Sequence, residues 1–216
     1  MKPCPPCVAV VDYGFGNLRS VAKALARSGL APEVTGDAAV VARADGVVLP
    51  GVGAFDDAIA GLAANGLDDA VRRSIENGRP YLGLCLGLQV LFEESNEHGK
   101  TQGLGLLRGR VERFSERDRA GHPLRVPHIG WNTVRFTGAH PVLARLPRED
   151  PYYFVHSYRP VATDPKVVVG VTDYGDEFAA AVATERIFAV QFHPEKSQWA
   201  GKRLLDGYAA WVTSCR

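Results

Sequence analysis

Several features that steer a chain toward a specialised role are missing here. There is no charge excess: 25 lysines and arginines stand against 24 aspartates and glutamates. Nothing in that balance favours nucleic acid or an anionic membrane as the partner. Long apolar runs are missing too. The run Val8-Ala9-Val10-Val11 is far too short for a signal-peptide core or a membrane span, and Asp12 ends it, so the expected location is the cytoplasm. No internal repeat, linker or low-complexity stretch divides the chain, which leaves one domain as the expectation. Cysteine is scarce, with four in all. Cys4 and Cys7 form a Cys-x-x-Cys pair, but two intervening prolines forbid the helix start that redox pairs use, and structural zinc usually takes four ligands. Residues 1–7 therefore read as a disordered tail, Cys215 as incidental, and no metal or cofactor is expected.

The remaining chain is rich enough in hydrophobic residues, at 46% of 216, to bury a substantial core. From residue 8 strands and helices alternate. Val8 to Asp12 reads as a short buried strand. Asn17 then caps a helix with Leu18, Val21, Ala22 and Leu25 on one face and Gly29 as its stop. A second strand is predicted near Glu33 to Thr35 and a third over Gly46 to Leu49. Two helical stretches lie between Ala54 and Gly78, the second with Leu67, Ala70, Val71 and Ile75 inward. After a polar loop from Ser95 to Thr101 come five strand-like pieces with no long helix between them: 110–114, 131–136, 152–157, 167–172 and 178–184. A helix over 198–213, with Trp199, Leu204, Leu205, Tyr208 and Trp211 as its buried face, closes the chain. The pattern predicts an α/β fold, an open and mostly parallel sheet flanked by helices, with an antiparallel extension in the C-terminal half.

The fourth cysteine sits differently. Gly83-Leu84-Cys85-Leu86-Gly87-Leu88-Gln89 follows the apolar run Pro80-Tyr81-Leu82 and leads into Val90-Leu91-Phe92-Glu93-Glu94, so it reads as a buried strand turning sharply into a helix. Glycines two before and two after Cys85 are what a strained elbow requires. A helix start would favour the thiolate, the nucleophilic form of cysteine. A buried structural cysteine is the alternative, and a partner has to decide between them. In Gln191-Phe192-His193-Pro194-Glu195-Lys196-Ser197 a strand ends in a histidine and Pro194 breaks it. Cys85, His193 and Glu195 fit the roles of nucleophile, base and the group that orients the base.

Gly-x-Cys-x-Gly-x-Gln with a distal His-Pro-Glu resembles the class I glutamine amidotransferases. Within them, Asp12 to Asn17, Pro50 to Phe55, His128 to Asn132, Tyr153 to Tyr158 and Gln191 to Ser197 resemble, in order, the glutaminase subunits of imidazole glycerol phosphate synthases. The resemblance implies a flavodoxin-like sheet and hydrolysis of L-glutamine by Cys85, His193 and Glu195. It implies an oxyanion hole from the backbone of Val52, Gly53 and Leu86, whose loop must reorient before the hole is complete. Substrate contacts fall to Gln89, His156, Ser157 and Tyr158. Asn17, Trp131, Tyr153 and Lys196 are implied at the interface with a (β/α)8 cyclase subunit, the heterodimeric partner that receives the ammonia.

Other readings stand beside it. Asp12 to Asn17 holds only two glycines of a dinucleotide fingerprint, with Arg19 at the next expected position, and is equally a tight turn. Relatives serving anthranilate synthase carry Gly-Pro-Gly where this chain has Gly51-Val52-Gly53. A silent regulatory subunit would not need an intact triad. A stand-alone cysteine hydrolase would keep the triad and be fully active without a partner.

Overall fold

The computed structural model describes residues 4–216. The order begins β1 (Cys7–Val11), α1 (Leu18–Arg27), β2 (Ala31–Thr35), α2 (Ala38–Arg43), β3 (Gly46–Gly51), α3 (Phe55–Ala64), α4 (Leu67–Glu76), β4 (Tyr81–Cys85) and α5 (Leu86–Gln89). It continues with β5 (Phe92–Ser95), β6 (Thr101–Gln102), β7 (Leu107–Arg113), β8 (His128–Phe136), β9 (Glu149–His156), β10 (Tyr158–Ala162), β11 (Val168–Tyr174), β12 (Asp176–Ala183), β13 (Ile187–Val190) and α6 (Gln198–Ser214).

One sheet runs β2-β1-β3-β4-β13-β12-β11-β8-β9. Its first five strands are parallel and its last four antiparallel, the division predicted from the run of strands without helices. Side chains alternate across a strand, and β1 shows the consequence. Val8 and Val10 enter one core, with Val21 and Leu25 of α1 and Leu204, Leu205 and Tyr208 of α6. Ala9 and Val11 enter the other, with Val41 of α2, Leu62 of α3 and Val71 of α4. Two helix layers thus cover a sheet buried on both faces, as parallel strands require. Among the described residues no helix is long and apolar enough to cross a membrane.

Four expectations are corrected. The helix after the elbow lasts one turn, Leu86–Gln89, and residues 92–95 form a strand instead. Here β5 pairs with β7 in a second sheet, β10-β7-β5-β6, and Leu91 and Phe92 are fully buried beneath it, so tertiary pairing overrides the local helical pattern. Trp199 is 76% exposed. It lies five residues before Leu204, about 140° away around the helix at 3.6 residues per turn, and so misses the buried face. Asn17 occupies the cap position of α1 without a side-chain cap bond; its carbonyl accepts from the N–H of Ser20 and Val21. Finally, Cys7 is the first residue of β1, with its N–H on Asp45 Oδ2 at 2.8 Å. Of the predicted tail, Met1 to Pro3 lie outside the described residues.

The two tryptophans of α6 should therefore differ sharply. Trp199→Ser is expected to change stability by no more than about 0.5 kcal/mol, while Trp211→Ala, at a 4% exposed position, should cost about 3–5 kcal/mol, both read from urea unfolding.

Candidate active site

Open α/β sheets bind ligands beyond the carboxyl ends of their parallel strands, where connections part to either side. In this chain β3, β4 and β13 end together there. Cys85, the last residue of β4, adopts φ 53° and ψ −102°, a conformation that costs a non-glycine residue about 1–3 kcal/mol. The neighbouring glycines make that turn possible. A Cβ on Gly87 would fall on the carbonyl oxygen of Leu49 in β3, and one on Gly83 would stand 2.5 Å from the oxygen of Gly87. Tyr81 Oη donates to that same Gly87 carbonyl at 2.7 Å and pins the elbow from beneath. Because α5 is a single turn, it carries little macrodipole. The polar groups nearest the sulfur are side chains, Gln191 Nε2 at 3.5 Å among them.

His193 arrives on a clamped loop. Its N–H donates to the carbonyl of Tyr153 at 2.9 Å. Ser197 Oγ accepts from the N–H of Tyr153 at 3.0 Å and donates to the carbonyl of His193 at 2.6 Å. α6 presses on the same loop: a Cβ on Gly201 would collide with the carbonyl of Pro194. The ring is 4% exposed, and its Nδ1 lies 2.8 Å from Glu195 Oε1, a carboxylate 2% exposed. Burial works against a charged ring, but the Cys85 sulfur and Glu195 together outweigh it and raise the pKa to about 10. Nδ1–H therefore donates to Glu195. Nε2 is buried without a hydrogen-bond partner, so at neutral pH it carries a proton available for transfer.

A cavity of about 300 Å³ opens at Cys85, lined by Val52, Gly53, Leu86, Gln89, Glu97, Pro127, Val155, His156, Ser157 and Tyr158. All the predicted oxyanion and substrate residues are thus gathered at one site. Leu86, as the first residue of α5, has no acceptor for its N–H within the helix. Among the described residues the N–H groups of Val52 and Gly53 have no backbone acceptor. Gln89 is less free than expected, because its Nε2 donates to the carbonyl of Tyr158 at 2.9 Å and contacts Gln191 Oε1 at 3.1 Å. The ring of His156 also turns inward: Nδ1 donates to the carbonyl of Tyr158 at 2.9 Å, and Nε2 is 3.1 Å from His128 Nδ1. Burial pushes the pKa of His156 down to about 3 and that of His128 to about 4, so both rings are neutral. An acceptor carbonyl at one end fixes the tautomers: His128 Nδ1–H donates to His156, and His128 Nε2 accepts from Asn132 Nδ2 at 3.3 Å.

Glu97, Pro127 and Gln191 are additions that sequence patterns did not supply. Glu97 sits in what reads as an ordinary polar loop, yet it lines the cavity and accepts from the N–H of Phe55 at 2.9 Å. On the outer surface Trp131, 49% exposed, stands edge-on to Tyr153 at 6.3 Å, and Lys196 Nζ lies 5.8 Å over the same ring. Asn17 is exposed on the turn after β1. Of the four predicted interface residues, Asn17, Trp131 and Lys196 are exposed and Tyr153 is half-buried.

The sequence matches the family described as glutamine amidotransferase class-I over residues 9–206. Among curated proteins it is 52% identical over 209 residues to the imidazole glycerol phosphate synthase subunit HisH of Methylococcus capsulatus, covering 94% of this chain and 96% of that one. It is 48% identical over 202 residues to the subunit of the same name from Syntrophotalea carbinolica, with 93% and 98% covered. Among solved structures, PurLQS from Thermotoga maritima includes a chain with TM-score 0.76 at 20% identity, covering 96% of this chain and 99% of that one. A solved glutamine amidotransferase superposes with TM-score 0.68 at 21% identity, covering 95% of this chain and 98% of that one. These two likenesses carry the fold.

Two expectations follow from the clamp and the ring. Ser197→Ala leaves the Tyr153 N–H without its partner and should cost about 1–3 kcal/mol in urea unfolding, with a loss of turnover as the His193 loop loosens. The raised His193 pKa contributes stability that is complete below the unfolded value near 6.5 and is lost as pH rises through about 10. In Glu195→Gln one of the two groups holding the ring proton is neutral, so denaturation midpoints compared at pH 7 and pH 9.5 should fall less in the variant than in the parent.

Proposed function

The chain belongs to the class I glutamine amidotransferases, and from that premise we infer that it is the glutaminase subunit of imidazole glycerol phosphate synthase, releasing ammonia from L-glutamine for histidine biosynthesis. One observation carries the mechanism: a buried His193, tied through Nδ1 to Glu195, accompanies a cysteine held out on a strained elbow. The Cys85 thiolate attacks the side-chain amide carbon of glutamine. The carbonyl oxygen becomes an oxyanion and accepts from the backbone N–H of Leu86 and of the Val52-Gly53 loop. His193 Nε2 gives its proton to the departing nitrogen, and ammonia leaves a γ-glutamyl thioester on Cys85. Water then attacks that thioester with His193 as base, and glutamate is released with the sulfur returned to its starting form. Glu195 holds the ring orientation and balances its charge throughout. No cofactor or metal enters these steps.

Recognition of the free amino acid is assigned to the rest of the cavity. Glu97, the carboxylate among its lining residues, suits the α-ammonium group, and the backbone of His156, Ser157 and Tyr158 suits the α-carboxylate. Ammonia is useful only to a second subunit. We propose a heterodimer with a (β/α)8 cyclase in the cytoplasm, seated on Asn17, Trp131, Tyr153 and Lys196, with residues 8–216 acting as one amidotransferase domain. Val52 and Gly53 are both exposed at the cavity mouth, and Gly53 has φ +106°, which leaves this loop free to turn an N–H toward the oxyanion when the loaded partner docks.

Glutamate release by the purified chain, alone and with a cyclase subunit carrying its nucleotide ligand, tests this reading. Activation of about 100-fold is expected, the magnitude of completing an oxyanion hole, and Cys85→Ala should abolish release. An isolated chain that is fully active and indifferent to the cyclase would instead be a free-standing amidase.

A further inference from the structure

Gln191 is fully buried, follows the end of β13, and has its side chain between Gln89 and Cys85. Three contacts make one chain from Tyr158 through the two amides to the sulfur. Gln89 Nε2 reaches the Tyr158 carbonyl at 2.9 Å and Gln191 Oε1 at 3.1 Å, and Gln191 Nε2 stands 3.5 Å from Cys85 Sγ. The direction of this chain is not free. A backbone carbonyl only accepts, so Gln89 must turn its amino group toward Tyr158. That amino group's second N–H points at Gln191, which must answer with its oxygen. The amino group of Gln191 is then left facing the sulfur. Reversing either amide would set two acceptors or two donors against each other inside the protein, at the cost of unsatisfied buried groups.

We infer that Gln191 is a catalytic residue, a fixed N–H donor to Cys85 Sγ that holds the sulfur in its nucleophilic form, oriented by Gln89 and the carbonyl of Tyr158. This rests on Cys85 being the nucleophile. A donor to the sulfur favours the anion over the thiol. Being buried and held at its oxygen end, Gln191 supplies that bond without reorganising during the reaction. It does so where the one-turn α5 offers little. The arrangement also joins binding to chemistry, because the carbonyl that sets the direction belongs to Tyr158, part of the segment that lines the cavity. His156 donates to the same carbonyl at 2.9 Å, so the anchor is held from two sides.

The test uses the full chain with its cyclase partner and two variants, Gln191→Met and Gln89→Met. The readouts are the pH–rate profile for alkylation of Cys85 by iodoacetamide, and kcat and KM for glutamine. Gln191→Met removes the donor, and its alkylation profile should move toward alkaline pH by about one unit, with kcat lowered about 10-fold to 100-fold and KM within about threefold. Gln89→Met frees the Gln191 amide to turn and should move the profile the same way by less. In the parent protein the ¹⁵N side-chain amide resonance of Gln191 should shift when Cys85 ionises and when it is alkylated, a measurement that stands even if a variant does not fold. A folded Gln191→Met with the parent's profile and kcat, or an amide resonance indifferent to Cys85, overturns the inference. Cys85→Ala separates the two levels: if it keeps glutaminase activity the nucleophile itself is wrong, whereas a silent Cys85→Ala beside an unaffected Gln191→Met removes only the role of Gln191.

Discussion

The tight approach of Gly87 to the Leu49 carbonyl is the constraint on which this structure depends. It lets the elbow after β4 fold back onto β3 without a side chain between them, and so brings Cys85 beside the loop at Val52 and Gly53. Tyr81 beneath the turn, Gly83 before it and the unusual backbone at Cys85 all serve the same contact. The strain of about 1–3 kcal/mol is tolerable because the strands on both sides, β3 and β13, are buried and cannot relax toward solvent. A cysteine on a looser turn would not keep its position relative to a loop supplied by another strand.

Around that fixed sulfur the other groups come from distant parts of the chain, and each is held by something other than the site. His193 is positioned by β9 through Tyr153, by Ser197, and by α6 through the close fit of Gly201. The surface ring of Tyr153 therefore belongs to a residue whose backbone touches the catalytic loop. A partner resting on Trp131, Tyr153 and Lys196 would be one hydrogen bond from the backbone of His193. The neutral pair His128 and His156 makes a second connection, running from Asn132, next to Trp131, to the Tyr158 carbonyl inside the cavity. Both connections are short, and each passes through a fully or largely buried group, Ser197 in one and the His128–His156 pair in the other.

The antiparallel half of the sheet has a clear purpose in this arrangement. The parallel half gives the Cys85 elbow and the Val52-Gly53 loop beside it. The strands β8 and β9 carry the exposed aromatic residues and the segment that lines the far wall of the cavity. Without that extension the carboxyl ends of β3 and β4 would face open solvent, and the histidine would lack its clamp.

The elbow at Cys85 and the pairing of His193 with Glu195 were legible in the sequence because such geometry demands particular residue types at short spacings: glycines flanking a strained turn, proline ending a strand, a carboxylate two residues beyond a histidine. Up to residue 78 the strands β1 to β3 and the helices α1, α3 and α4 were legible for a similar reason, since each carries its own period of apolar residues, whereas the six-residue α2, Ala38–Arg43, is too short to show one and was not legible. What the sequence could not decide were the outcomes of long-range pairing. The turn after Gln89 becomes β5 only because β7 offers a partner, Trp199 faces outward because the register of α6 is set by Leu204 and Tyr208, and Glu97 joins the cavity because its loop folds back over α3. The direction of the amide chain through Gln89 and Gln191 belongs to the same class. The motifs that contain Gln89 and Gln191 say nothing of how the two amides are turned, and only the tertiary structure brings the acceptor carbonyl of Tyr158 into contact and so decides which end of Gln191 meets the sulfur.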